Sequence, residues 1–162
     1  MKNTSLCYIE SDGKYLMLHR VRKENDENRD KWIGVGGKFE PGETPEECAV
    51  REIQEETGIL FRREKLRFRG IVTFVSDEWG TETMFLYTAQ LSDSQNGLSE
   101  KDVPQENGEG TLEWIRKEAA ASLPIWEGDK IFLRLLAENA SFFSLKLVYS
   151  GEKLVDFNTL MW

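Results

Sequence analysis

The sequence has very little cysteine and histidine. Its 162 residues include two cysteines, Cys7 and Cys48, and one histidine, His19. The two cysteines lack the spacing of a metal-binding or redox pair, which excludes a disulfide framework, a Cys/His zinc site and a dithiol redox centre as the basis of function. We predict that both thiols are reduced and buried. We predict a structural role for His19, because it lies in a predicted strand without a partner motif.

Positive charge and long apolar runs are also scarce. The 21 Lys and Arg residues are outnumbered by 29 Asp and Glu residues, and the net charge is −8. This balance excludes a general binder of nucleic-acid polymers or anionic membranes, which needs a basic face. No apolar run is long enough to span a bilayer, and the first ten residues, MKNTSLCYIE, lack the apolar core of a signal peptide. We therefore expect a cytoplasmic protein that contacts neither nucleic acid nor membrane.

Length and patterning predict a single domain over residues 1–162, with an α/β (α+β) fold. Alternating apolar residues and turn signals predict several strands and, besides the helix described in the next paragraph, two helices. The predicted strands are Ser5–Glu10, Tyr15–Val21, Leu66–Val75, Thr83–Leu91, Thr111–Ile115, Phe142–Ser150 and Lys153–Phe157. The predicted helices besides the one described next are Lys117–Ser122 and Glu127–Asn139, and the predicted polar loops are Arg22–Lys31 and Ser92–Gly110.

A helix is predicted at Pro45–Thr57, directly after a glycine-bearing loop at Gly36–Gly42. Thr44 is a good N-cap, and Glu47 completes a capping box with it. Gly58 stands where a left-handed C-cap is usual. The glycines of the preceding loop allow the backbone to approach a ligand closely.

Three carboxylates lie on one face of this helix. Glu52, Glu55 and Glu56 have the spacing i, i+3, i+4, so their side chains are neighbours. Like charges at this spacing destabilise a solvated helix, and carboxylate oxygens suit a hard divalent cation such as Mg²⁺. The alternative is a solvated acidic surface with Arg51 as a local counterion.

The wider pattern favours the metal site. Gly37, Glu43 and the run Arg51–Ile59, which reads REIQEETGI, resemble the defining positions of the Nudix box throughout. The resemblance implies the Nudix fold, a mixed β-sheet sandwiched between α-helices. It also implies a divalent metal, Mg²⁺ with Mn²⁺ as an alternative, and hydrolysis of a nucleoside diphosphate linked to another group.

The resemblance further implies roles for individual residues. Its metal ligands would be Glu52, Glu55, Glu56 and the backbone carbonyl of Gly36. Arg51 and Glu43 would form a supporting pair between the loop and the helix. A further carboxylate ligand would come from Glu106, Glu109 or Glu113, of which Glu109 fits the relatives best. The base that deprotonates the attacking water would be Glu52 or a glutamate of the long loop.

Substrate-binding residues are expected outside the box. The stretches around Trp32 and Trp126 resemble the MutT-type branch of the family, which hydrolyses oxidised purine nucleoside triphosphates. In that branch a tryptophan stacks on the base and a following acid bonds its edge, and Trp126 and Asp129 match these two positions. The remaining candidates are Phe74 and Met84 as pocket walls, and Lys38 and Arg20 as phosphate contacts. For the apolar candidates the alternative is core packing.

Two positions depart from that branch. Ile33 follows Trp32, at a position where a member of that branch has an asparagine that contacts the base. Gly128 stands where that member has the second acid of a pair, of which Asp129 matches the other. An isoleucine side chain cannot form a hydrogen bond, so the pocket is expected to recognise the base differently.

The expected function is Mg²⁺-dependent hydrolysis of oxidised purine nucleoside triphosphates, such as 8-oxo-dGTP, to monophosphate and pyrophosphate. This reaction would sanitise the nucleotide pool. The partner would be a small nucleotide, and the chain would be a monomer or a homodimer. The alternatives are a Nudix hydrolase of a dinucleotide or nucleotide sugar, an isoprenoid diphosphate isomerase, or a non-catalytic ligand-binding Nudix domain. The intact set of Glu52, Glu55 and Glu56 argues against the last.

Overall fold

The computed structural model describes residues 1–22 and 24–162. Within these residues, the strands are β1 (Lys2–Ser11), β2 (Lys14–Arg20), β3 (Trp32–Ile33), β4 (Val35–Lys38), β5 (Arg67–Ser76), β6 (Gly80–Gln90), β7 (Glu106–Asn107), β8 (Gly110–Arg116), β9 (Phe143–Ser150) and β10 (Lys153–Met161). The α-helices are α1 (Pro45–Thr57) and α2 (Glu127–Ala137), and short 3-10 helices occur at Arg63–Lys65, Leu91–Asp93, Glu100–Asp102 and Lys117–Ser122.

The strands form one mixed sheet. Its order is β10-β9-β5-β6-β1-β2-β8-β7, while β3 pairs with β2 and β4 pairs with β1. The pairs β1–β6 and β5–β9 are parallel, and the other pairs are antiparallel. The β1–β2 hairpin turns at Asp12 and Gly13, which both have positive φ, as a tight two-residue turn requires.

Helices cover both faces of this sheet, which confirms the predicted fold class. On one face, α2 packs Phe132, Leu133 and Leu136 into a core that includes Tyr8 and Met17. On the other face, α1 packs Ala49 and Ile53 into a second core, with residues such as Ile9 and Leu18. Neighbouring residues of β1 and β2 therefore point into different cores, which explains why these strands read as nearly continuous apolar runs.

Helix α1 begins and ends at the predicted residues. The Thr44 hydroxyl accepts a hydrogen bond from the Glu47 N–H, and the Glu47 side chain accepts one from the Thr44 N–H. Gly58 adopts φ 77° and donates its N–H to the Gln54 carbonyl, which ends the helix. Glu56 is buried on this helix together with the apolar residues Ala49 and Ile53.

The predicted glycine-bearing loop was wrong in its first part. Gly36, Gly37 and Lys38 belong to β4, which pairs with Thr4 to Leu6 of β1. A side chain at Gly36 would overlap the backbone carbonyl of Ser5. Glycine is therefore needed here because two backbones meet closely, and β4 leads directly towards helix α1.

Other boundaries also differ from the prediction. The expected polar loop Ser92–Gly110 contains the 3-10 helix Glu100–Asp102 and the strand β7, because Glu106 and Asn107 pair with the start of β8. Strand β10 runs on to Met161 through pairing with β9, and α2 ends at Ala137, before Asn139 with φ 51°. The described part of the predicted loop Arg22–Lys31 has neither helix nor strand, and Lys23 lies outside the described residues.

The remaining predictions concern thiols and membranes. Cys7 and Cys48 are free and buried, as expected. His19 stacks on Trp32 with 4.6 Å between ring centroids and an interplanar angle of 6°. In the part of the chain that the structure describes, no helix is both long and apolar enough to cross a bilayer.

Candidate functional site

A cavity of about 670 Å³ opens beside the junction of β4 and α1. We call it the central cavity. It brings together most of the residues that the sequence singled out. The predicted residues that line it are Arg20, Gly36, Lys38, Arg51, Glu52, Phe74, Met84, Glu109, Trp126 and Asp129. Three further predicted residues, Glu43, Glu55 and Glu56, do not line it.

Glu56 is the most unusual carboxylate of the helix. It is only 8% exposed, and neither of its carboxylate oxygens has a hydrogen-bond partner of normal geometry among the described residues. Burial, together with the charges of Glu109 and Glu52, raises the pKa of Glu56 to about 9. Arg20 and the backbone N–H of Gly36 lower it to a smaller extent.

Glu52 and Glu55 are held differently from Glu56. Glu52 accepts a hydrogen bond of 2.8 Å from Arg51, and burial raises its pKa. Glu55 is the most exposed of the three, with 57% of its side chain exposed, and it lies 3.3 Å from Arg51. The helix thus presents one deeply buried, one half-buried and one exposed carboxylate.

Arg51 ties the segment before the helix to the helix itself. Its guanidinium donates to both oxygens of Glu43, at 2.7 and 2.9 Å, and to the backbone carbonyl of Lys38 at 3.0 Å. Glu43 also accepts a hydrogen bond from the backbone N–H of Glu40. The bidentate contact with Glu43 and the bond to Lys38 hold β4 beside the face of α1 that carries Glu52.

Arg20 and Glu109 form a second charged group at the cavity. The Arg20 guanidinium contacts Asp26 at 2.7 Å and Glu109 at 2.6 Å. Of the three glutamates considered from the sequence, only Glu109 lines the cavity. Glu106 pairs with Arg22 on the surface, and Glu113 is exposed on β8.

The donor set fits a hard divalent cation. Glu52, Glu56 and Glu109 are close enough for the charges of Glu52 and Glu109 to raise the pKa of Glu56, and all offer oxygen ligands. A buried carboxylate without hydrogen bonds costs free energy that a bound cation would offset. Among the described residues, however, no three acidic, histidine or cysteine side chains already converge as ligands.

The part of the cavity wall around Trp126 is aromatic. Trp126 is 4% exposed, and its indole N–H donates to the side-chain carbonyl of Asn28 at 2.9 Å. Phe74 and Tyr149 pack against the indole with centroid distances of 5.4 and 5.0 Å. The ammonium of Lys31 lies 4.7 Å from the centre of the indole ring. Trp126 and Phe74 therefore belong to the core and border the cavity at the same time.

Several residues that line the cavity were not predicted from the sequence. They are Lys2, Thr4, Glu27, Asn28, Trp79 and Glu82. A signal for Glu82 was available in the sequence. Glu82 lies two and four residues before Met84 and Leu86 on β6, so it shares the face with which they contact the α2 core. A charged residue at an inward position of a strand indicates a polar site. Glu27 and Asn28 carried no such signal, since they lie in an irregular segment.

Comparison with known proteins agrees with this geometry. Residues 2–136 match the NUDIX domain family. An uncharacterized Nudix hydrolase of Bacillus subtilis (strain 168), YvcI, is 28% identical over 159 residues, which cover 94% of this chain and 89% of that protein. A putative 8-oxo-dGTP diphosphatase 3 of Mycobacterium tuberculosis (strain CDC 1551 / Oshkosh) is 31% identical over 117 residues. The match covers 72% of this chain but only about half, 52%, of that relative.

Solved structures show the same fold. A MutT protein from Bacillus halodurans superposes with a TM-score of 0.82 at 24% identity, over 98% of this chain and 97% of that one. The NUDIX domain of NrtR from Shewanella oneidensis, solved with ADP ribose, has a TM-score of 0.63 at 17% identity, over 86% and 88% of the two chains. The family match and these likenesses together show that the chain belongs to the Nudix family of hydrolases, which act on pyrophosphate bonds, generally with a divalent metal cation.

Proposed function

We propose that the protein is a Mg²⁺-dependent pyrophosphohydrolase of purine nucleoside triphosphates, with 8-oxo-dGTP as the preferred substrate. One observation carries this proposal. The central cavity is lined by Glu52 of the Nudix box and by Glu109, and it is also lined by Trp126 and Asp129. Its volume of about 670 Å³ is within the range of small-molecule sites and suits one nucleotide. The M. tuberculosis relative, a putative 8-oxo-dGTP diphosphatase, supports the same substrate class.

At the box end, Glu52, Glu55, Glu56, Glu109 and the Gly36 carbonyl would hold the cation. When bound, Mg²⁺ would neutralise phosphate oxygens and lower the pKa of the attacking water. Mn²⁺ would bind the same oxygen ligands. Glu52 and Glu55 each contact the Arg51 guanidinium through one oxygen, which leaves the other oxygen of each available to the cation.

Arg51 and Arg20 would position the metal-binding carboxylates. Arg51 holds β4 against the helix through Glu43 and Lys38, and Arg20 orients Glu109. Because Arg20 already contacts two carboxylates, Lys38 is the better candidate for a direct phosphate contact. The proton of the attacking water would pass to a carboxylate at the cavity wall, either Glu52 or Glu109.

At the other end, Trp126 would stack against the base, held in place by Asn28 and Lys31. Base stacking on an aromatic residue contributes about 1–3 kcal/mol. Asp129 lies in the first turn of α2, is 6% exposed, and has no side-chain hydrogen bond to a described residue. A neutral carboxyl there could donate to a purine carbonyl and accept from a ring N–H.

The charge state of Asp129 follows from its surroundings. Burial and the charge of Glu82 raise its pKa to about 8, against a smaller lowering effect of Lys31. Asp129 in turn raises the pKa of the buried phenols of Tyr8 and Tyr149. The free protein therefore keeps Asp129 protonated at neutral pH.

The first experiment is a substrate panel. Pyrophosphate or phosphate release with Mg²⁺ would be measured for 8-oxo-dGTP, dGTP, the other triphosphates, a nucleotide sugar and a dinucleoside polyphosphate, and ranked by kcat/KM. We expect 8-oxo-dGTP to lead dGTP, with monophosphate and pyrophosphate as products. A lead for the nucleotide sugar or the dinucleotide would overturn the assignment of Trp126 and Asp129 to a triphosphate base.

The metal site is tested by Glu56→Gln. The amide has the same shape but no charge for a cation, so we expect kcat to fall by at least about 100-fold while the circular dichroism spectrum stays unchanged. Glu46→Gln, in the first turn of the same helix, is the matched control and should keep wild-type kcat. Retained activity in Glu56→Gln would rule out its role as a ligand.

Asp129 is tested through the pH dependence of stability. The folded pKa of about 8 exceeds the ordinary value of 3.8, so the folded state holds a proton that the unfolded state releases. The contribution of Asp129 to the free energy of unfolding should therefore decrease as pH rises from about 4 to 8. We expect Asp129→Asn to gain stability over wild type steadily across that interval in urea unfolding. Asp93→Asn, at an exposed site, should track wild type, and parallel curves for Asp129→Asn would contradict the assigned protonation.

A further inference from the structure

Glu82 places a carboxylate inside the central cavity on a strand that otherwise faces the core. Its neighbours across the sheet are Lys2 of β1 and Phe74 of β5. The side chain is 12% exposed, and it lines the cavity together with Trp126 and Asp129. Neither the Nudix box nor the fold explains a charge at this position.

Glu82 belongs to a small polar group with too few donors. The Thr4 hydroxyl donates to one Glu82 oxygen at 2.8 Å, and the Lys2 ammonium lies 3.4 Å from the other. The same ammonium contacts Glu27 at 2.8 Å, and the second oxygen of Glu27 is buried without a partner among the described residues. Two carboxylates thus share one ammonium.

Asp129 adds a third carboxyl group beside this one, and it keeps acceptor capacity even when protonated. It is more than nine-tenths buried, lines the same cavity, and receives no hydrogen bond from a described side chain or backbone group. A carboxylate offers about four acceptor positions, and Thr4 and Lys2 occupy at most two of those on Glu82. The cavity end that holds Trp126 therefore has unused acceptors, and a ligand with N–H donors would satisfy them.

Resting on the proposed function of this cavity, we propose that Glu82 determines base specificity by accepting hydrogen bonds from the donor edge of the nucleobase. A carboxylate accepts two parallel N–H bonds well, as guanidinium groups show. Guanine-type bases present such a pair, a ring N–H beside an exocyclic amino group. The site should therefore favour a purine that carries the 2-amino group over one that lacks it, and Glu82 takes the recognition role that Ile33 cannot supply.

The test compares dGTP with dITP, which differs only by the missing 2-amino group. We expect wild type to prefer dGTP by about tenfold or more in kcat/KM, because loss of one donor leaves a buried acceptor unpaired. In Glu82→Gln the ratio should fall to near one, mainly through loss of dGTP activity. Glu82→Met serves as a second variant if the amide impairs folding. Glu78→Gln, exposed in the same hairpin, is the control and should keep the wild-type ratio.

A second measurement separates this proposal from the proposed function. Binding of dGMP and dIMP, measured calorimetrically without metal, reports base recognition independently of turnover. An unchanged dGTP/dITP ratio in Glu82→Gln would overturn the role of Glu82 and leave triphosphate hydrolysis standing. If wild type hydrolyses no triphosphate, the proposed function fails. The role of Glu82 is then supported if wild type binds dGMP more tightly than dIMP and Glu82→Gln does not. Equal binding of dGMP and dIMP by wild type would overturn it.

Discussion

The rest of the site depends on the burial of the Glu56 carboxyl group, whose oxygens have no hydrogen-bond partner of normal geometry among the described residues. An ionised carboxylate in such a place is unfavourable, and burial is the main reason that the pKa of Glu56 is raised to about 9. The nearby charges of Glu52 and Glu109 make ionisation still harder. A divalent cation would reverse this preference, because it would compensate all three charges at once. The helix is therefore arranged for an added positive charge.

The surrounding contacts keep that arrangement in place. Arg51 joins Glu43 and the Lys38 carbonyl to the helix and so links β4 to α1. The absence of a side chain at Gly37 serves the same geometry, since a Cβ there would lie 2.5 Å from the Glu52 carboxyl carbon. If the proposed function holds, such a frame would keep the metal-binding carboxylates in place whichever base the cavity accepts.

Local signals predicted helix α1 fully, because its cap Thr44 and its terminator Gly58 lie within the segment itself. The box carboxylates and Arg51 were also accessible from spacing on one helix. The base end was only partly predictable. Glu82 lies in the cavity with Lys2 because β6 pairs with β1 in parallel over 80 residues of sequence separation. No local pattern specifies such a pairing, and Glu27 reaches the site from an irregular segment whose path depends on tertiary contacts.

The most direct test of this account is the effect of Mg²⁺ on thermal stability. The midpoint of unfolding would be measured for wild type and Glu56→Gln at pH 8, each with and without millimolar Mg²⁺. Binding to the folded state alone stabilises it by mass action, so the wild-type midpoint should rise with Mg²⁺ by a few degrees, and that of Glu56→Gln should not. An equal rise in both proteins would contradict the account, because it would place the cation away from Glu56.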